Sequence, residues 1–286
     1  MPPSSSHPTT YQGPTDDPVV RPAVIGAACY PKAYHPGQAT QRITLHFHGG
    51  AYVLGGCRPL ESGWGPVVLS RHMKGPVSQV QYRLSVDDDS YFPAALQDGI
   101  TAYAYLLEDL GIAPENVILS GESAGAHLVL SILRYLTHEG TGTLPLPRAA
   151  LLWSPWVNLL PDQRTLDTHP SARGDYTKGT LLEWGASLFT PPGGDRGSPY
   201  ISPLLHPFTS PVPLFIQTGT QEVLYGDHVR FVETMREVGT RVEMVEIRDA
   251  PHDTFGAGMI LGFAREAEDA AERAASFTEA LVDDGG

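Results

Sequence analysis

The chain has 286 residues, 41% hydrophobic and 18% charged, with a formal net charge of −13. That length fits one α/β domain with a full core, and the negative balance argues against nucleic acid and anionic membranes as partners. No apolar run reaches the roughly 18 residues of a spanning helix, no basic-then-apolar leader opens the chain, and Cys29 and Cys57 make no disulfide framework, so a cytoplasmic protein is expected.

Residues 1–20 are rich in Pro and Ser without a helical stripe and read as a flexible tail. Residues 21–286 then form a single domain. Residues 24–30 read as one strand and 42–47 as a second, running into His48-Gly49-Gly50-Ala51. Glycines at a strand's end let N–H groups converge on one oxygen. Gly49 and Gly50, joined by the N–H of Ala124, are the expected oxyanion donors. Ala51 donates only with a negative φ, and its methyl narrows the acyl side of a pocket. His46 and His48 share a strand, but no Cys or carboxylate cluster completes a metal site, so no metal is expected. His48 instead braces the glycine turn. Cys57 has no base beside it and reads as structural. Asp87-Asp88-Asp89 reads as a solvated loop. Pro93, Leu96, Ile100, Tyr103, Leu107 and Leu110 mark a helix face against a sheet.

The apolar run 117–120 ends in Gly121-Glu122-Ser123-Ala124-Gly125 and opens into a helix-compatible stretch. A strand, a sharp turn and a helix are the context in which a G-x-S-x-G serine is lifted clear of the sheet as a nucleophile. Such a serine needs a base, an acid to orient the base, and donors for an oxyanion. Between 158 and 200 lies a candidate cap insertion. Its residues 179–189 form a helix with an apolar side, and Trp184, Leu188 and Phe189 join Ala51 as pocket-wall candidates.

Residues 213–219 form the next strand, followed by Glu222 and Asp227 in one loop. Either carboxylate can hold an imidazole. Glu222, at the strand's end, is preferred, and Asp227 starts the following helix. After strand 241–247 comes His252, the expected general base. Among eleven histidines, His7, His35, His72, His138, His169 and His206 lack partner motifs, His127 packs on the helix after Ser123, and His228 is the rival. Phe263, Ala267, Ala270, Ala274, Phe277 and Leu281 mark a last amphipathic helix. A base of this kind loses activity as it protonates, near pH 6–6.5 for an ordinary histidine.

With these motifs in order, the chain resembles the hormone-sensitive-lipase-type esterases of the α/β-hydrolase fold over roughly residues 40–280. Tyr82-Arg83-Leu84, Phe92-Pro93-Ala94-Ala95, Ser154-Pro155-Trp156 and Tyr200-Ile201-Ser202-Pro203-Leu204 add to the likeness. The resemblance implies a mostly parallel sheet flanked by helices, a Ser123-Glu222-His252 triad, an acyl-enzyme, short to medium acyl or small-molecule esters and no cofactor. It also raises a homodimer. Departures are Ala51 for a glycine, Glu222 for an aspartate, a longer 85–91 link and a reduced N-terminal cap. Two alternatives share these residues. Ser123-Ala124-Gly125-Ala126-His127-Leu128 also resembles the kynurenine formamidases, an amidase reading, and a non-hydrolytic binder on the same fold is the other.

Overall fold

The computed structural model describes residues 1–4, 10–31 and 42–281. Of the histidines considered above, His7 and His35 lie outside the described residues. Seven strands form one sheet: β1 (Gly26–Tyr30), β2 (Ile43–Phe47), β3 (Val77–Gln81), β4 (Val117–Glu122), β5 (Ala149–Trp153), β6 (Leu214–Gly219) and β7 (Val242–Ile247). Their order is β1-β3-β2-β4-β5-β6-β7, with β1 antiparallel to β3 and every other pair parallel. The central strands β2, β4, β5 and β6 are buried along their whole length. Both their faces are covered, so they read as apolar runs rather than alternations. Edge strand β7 turns Glu243 and Glu246 outward, a charged edge that resists further pairing.

Helices cover both faces. On one lie α3 (Ala94–Ala104, continued by a π turn, Tyr105–Asp109), α4 (Ala124–Thr137) and α7 (Tyr225–Glu237). On the other lie α2 (Trp64–His72), α8 (Thr254–Leu261) and α9 (Ala264–Ala280). The short α1 (Pro59–Ser62) precedes α2, and α5 (Gln163–Asp167) and α6 (Gly179–Phe189) lie between β5 and β6. The 93–110 stripe thus becomes α3, and the last stripe becomes α9, whose alanine face lets it sit close to α2. Tyr82-Arg83-Leu84 and Ser154-Pro155-Trp156 directly follow β3 and β5.

The N-terminal segment departs from expectation. Thr10 and Val20 are fully buried. Tyr11 Oη meets Thr101 Oγ1 at 2.6 Å, and Gln97 Nε2 donates to Thr15 O at 2.9 Å and Val20 O at 2.8 Å. Residues 10–20 are therefore a strap across α3, not a free tail. Its polar composition hides this because the strap is held by its backbone carbonyls, which leave no pattern in sequence.

Candidate active site

Ser123 sits between β4 and α4 with φ +49° and ψ −113°, a conformation that costs an L-residue about 1–3 kcal/mol. Sterics explain the flanking glycines. A Cβ on Gly121 would collide with the Gly125 carbonyl, and one on Gly125 with the Phe47 carbonyl. Ser123 N–H donates to Trp153 O at 2.9 Å, and Ser123 O accepts from Trp156 N–H at 3.1 Å. The strain is thus held in place by β5 and the chain beyond it.

His252 Nε2 lies 2.9 Å from Ser123 Oγ, and His252 Nδ1 lies 2.8 Å from Glu222 Oε2. The other Glu222 oxygen accepts from Ser154 Oγ at 2.8 Å, from Thr218 Oγ1 at 3.1 Å and from Gly219 N–H. Burial would raise the Glu222 carboxyl, but the His252 hydrogen bond and the His228 and His252 charges hold it below its ordinary value. Burial would lower His252, yet its hydrogen bond and ion pair with Glu222, aided by Asp175 and Asp253, push it up to about 9. The pH 6–6.5 expectation assumed an ordinary imidazole and is corrected upward.

Asp227 lies elsewhere: its Oδ2 accepts from Asn158 Nδ2 at 3.1 Å in the first turn of α7. His228 stands behind the acid, 2.7 Å from Thr218 Oγ1. His127 is buried between Tyr52 Oη at 2.6 Å and Ile201 O at 3.0 Å, and burial lowers its pKa to about 4. His48 stacks on Tyr82 at 4.3 Å and its Nδ1 meets Gly49 O at 2.7 Å.

Gly49 and Gly50 both line the cavity with Ser123, and the oxyanion turn differs from expectation in one way. Ala51 has φ +52° and Tyr52 φ +64°, so the negative φ assumed for Ala51 is wrong. Tyr52 compensates by stacking on Phe189 at 3.9 Å. Ala51, Tyr52, Ser123, Ser154 and Asp253 are five of the seven non-glycine residues with positive φ among the described residues. Strain is concentrated here because packing over-determines each turn.

A cavity of about 320 Å³ opens over Ser123 and His252, and its walls include Gly50, Ala51, Leu54, Tyr176, Leu181 and Leu182. Of the pocket-wall residues read from sequence, Ala51 lines it and the other three do not. Trp184 and Leu188 are 47% and 39% exposed, and Phe189 is buried against Tyr52. The helix was correctly bounded but its phase was misjudged. A Cβ on Gly185 would collide with Ala51, so that side of α6 presses on the oxyanion turn and presents Leu181 and Leu182 to the cavity.

A profile of the α/β hydrolase fold family matches residues 44–256. The chain belongs to the α/β-hydrolase fold family. An acetyl-hydrolase of Streptomyces hygroscopicus is 32% identical over 76% of this chain and 70% of its own. An esterase of Acinetobacter venetianus is 29% identical over 71% of this chain and 64% of its own. The solved structure of EstE7, a hormone-sensitive-lipase homologue from a metagenome library, matches with a TM-score of 0.75 at 25% identity, over 93% of this chain and 88% of its own. Within the family, the chain is a hormone-sensitive-lipase-type esterase.

Several site residues of this esterase escape a reading by motif. Ser154 joins acid and base: it donates to Glu222 and accepts Asp253 N–H at 3.0 Å. Asp175 is buried and accepts from Val223 N–H at 2.8 Å, Thr177 N–H at 3.1 Å and His252 N–H at 3.3 Å. One carboxylate therefore ties the segment ahead of α6 to both the acid loop and the histidine loop. Phe255 stacks on Trp153 at 3.9 Å, pinning the chain just after His252. Asp175 precedes Tyr176 in a loop without periodicity, where no motif marks it.

Proposed function

We propose that this carboxylesterase-type hydrolase cleaves short- to medium-chain acyl esters through an acyl-enzyme on Ser123. The observation that carries the reading is the unbroken chain from Ser123 Oγ through His252 to Glu222 at the floor of the cavity. Ser123 Oγ attacks the ester carbonyl while its proton passes to His252 Nε2. The tetrahedral oxyanion is received by the N–H groups of Gly49 and Gly50, which line the cavity beside Ser123, and of Ala124, the residue after the nucleophile. His252 then returns the proton to the departing alcohol, leaving Ser123 acylated. A water that gives its proton to His252 attacks the acyl carbonyl. Collapse of that second intermediate releases the acid and returns the proton to Ser123 Oγ. Glu222 stays ionised throughout and fixes the Nδ1–H tautomer.

Residues 158–200 serve as the cap, with α6 as the roof over the acyl side. The small cavity, the Ala51 methyl and Leu182 support a short acyl chain, as does the similarity to a protein named acetyl-hydrolase. Fluorophosphonate labelling mapped by mass spectrometry tests the nucleophile: the adduct is expected on Ser123 and absent in His252→Ala. A series of p-nitrophenyl esters tests the chain length. A kcat/KM that climbs through dodecanoate and palmitate overturns the short-acyl assignment.

A further inference from the structure

The cavity is lined by several carboxylates. Glu61, Glu122 and Asp253 line it, with no lysine or arginine among the lining residues. Glu122 comes from the end of β4 and Asp253 from the turn before α8. Their Oε2 and Oδ2 atoms both face Gly256, where a Cβ would collide with each, so the two carboxyls lie close together. Two buried carboxyls this close hold one proton between them. Burial raises both, and Glu122 raises Asp253 further, so the pair carries a single negative charge.

His252 also faces this pair and is a cation when protonated, but in the neutral form that acts as base it leaves the pair's charge uncancelled, and the other groups facing the pair do not cancel it either. His46, on β2, lies 3.0 Å from Glu122 Oε1, but burial lowers its pKa to about 3 and keeps it neutral. Glu222 and Asp175 stand on the far side of His252 and are acidic themselves. Glu61, on α1, has exposed Arg58 at 3.8 Å. The Tyr176 ring, 46% exposed, lines the same cavity 6.1 Å from the His252 ring.

An aromatic face beside a carboxylate is the chemistry that recognises an alkylammonium group. The apolar wall of Ala51, Leu181 and Leu182 adjoins the oxyanion turn and suits the acyl chain, which leaves the charged wall to the alcohol. We propose that the esters this site prefers are those of amino alcohols or quaternary ammonium alcohols, their cationic nitrogen lodged between the Tyr176 ring and the Glu122–Asp253 pair. The inference rests on Ser123 being the nucleophile of an ester hydrolase. It has a second consequence. A bound cation repels the proton on His252, so the acidic limb of kcat moves to lower pH for a cationic ester than for a neutral one.

The experiment compares acetylcholine with its uncharged isostere, 3,3-dimethylbutyl acetate. The native protein is expected to favour acetylcholine in kcat/KM by about tenfold or more, with the lower kcat limb on the cationic ester. Asp253→Asn leaves the charge on Glu122 and is expected to keep the preference. The double variant Glu122→Gln/Asp253→Asn removes the charge and is expected to bring the ratio near one, with Ser123 labelling as the check that the site is intact. Tyr176→Leu should lower the ratio, and Tyr176→Phe should keep it. Equal rates on the two esters in the native protein, or coincident kcat limbs, overturn the cationic assignment while hydrolysis of the neutral ester and labelling of Ser123 stand. Should the double variant not fold, those native comparisons decide alone. Absence of both hydrolysis and labelling overturns the ester-hydrolase reading, and the substrate class falls with it.

Discussion

Glu222 is held so firmly that its role divides cleanly from that of Asp227. One Glu222 oxygen is saturated by Ser154, Thr218 and Gly219, and the other is aimed at His252. Glu222→Gln keeps the shape but presents the wrong partner to Nδ1–H, and a kcat loss on the order of 10³–10⁴-fold is expected. Asp227→Asn, in the first turn of α7, should change kcat by less than about threefold. A larger loss in the second variant sinks the assignment. The sign of the pH dependence follows from the same contact. A histidine base acts when neutral, so the rate rises as pH climbs through its pKa. Glu222 and its acidic neighbours push His252 up to about 9, so kcat/KM for a neutral ester should still be rising between pH 7 and 9. Glu222→Gln removes the main cause and should move the limb to lower pH in whatever activity remains. A native profile flat from pH 6.5 to 9 contradicts this.

At the scale of elements, the catalytic loops are held from outside the sheet. Asp175 reaches Val223 N–H and His252 N–H across 48 and 77 residues of sequence. Asp175→Ala leaves three N–H groups without their acceptor, and a small displacement of both loops follows. The expected result is a kcat lower by about 10–100-fold with a stability loss of about 1–3 kcal/mol. Asp175→Asn keeps one acceptor oxygen and should fall between. Steady-state kinetics beside thermal melts check this, and an Ala variant with full kcat refutes it. The contrast with Ser123 explains what was legible in the sequence. Ser123, Glu222 and His252 each end a strand in a contiguous motif, so their order could be read. Asp175 and Ser154 work through hydrogen bonds to groups far along the chain, and Asp253 through its approach to Glu122, which leave no local pattern. The phase of α6 was hidden for a related reason: its two sides are both apolar, and contact with Ala51 decides which one turns inward.

Across the whole molecule, the sheet and its two helical layers were legible because burial on both faces dictates composition. The strap of residues 10–20 was not, because its hold on α3 is made by its carbonyls on Gln97, a polar residue on a helix face, and by one tyrosine hydroxyl on Thr101. Gln97 is wholly buried and its amide donates to Thr15 O and Val20 O together. Arg83 adds a contact to Arg21 O at 3.0 Å while its guanidinium is committed to Asp98 at 2.8 Å. Gln97→Ala would strand two carbonyls against α3 and release the strap, at a cost of about 2–3 kcal/mol. For a chain of this size each kcal/mol lowers the melting point by about 2–4 °C, so a drop on the order of 4–12 °C is expected. None of residues 10–20 lines the cavity, so kcat at 25 °C should stay within about twofold of the native value. Faster limited proteolysis within residues 10–20 should accompany the lower melting point. A melting point unchanged in Gln97→Ala would mean that the strap is fastened by Tyr11 on Thr101 and by Thr10 and Gln12 on Tyr135.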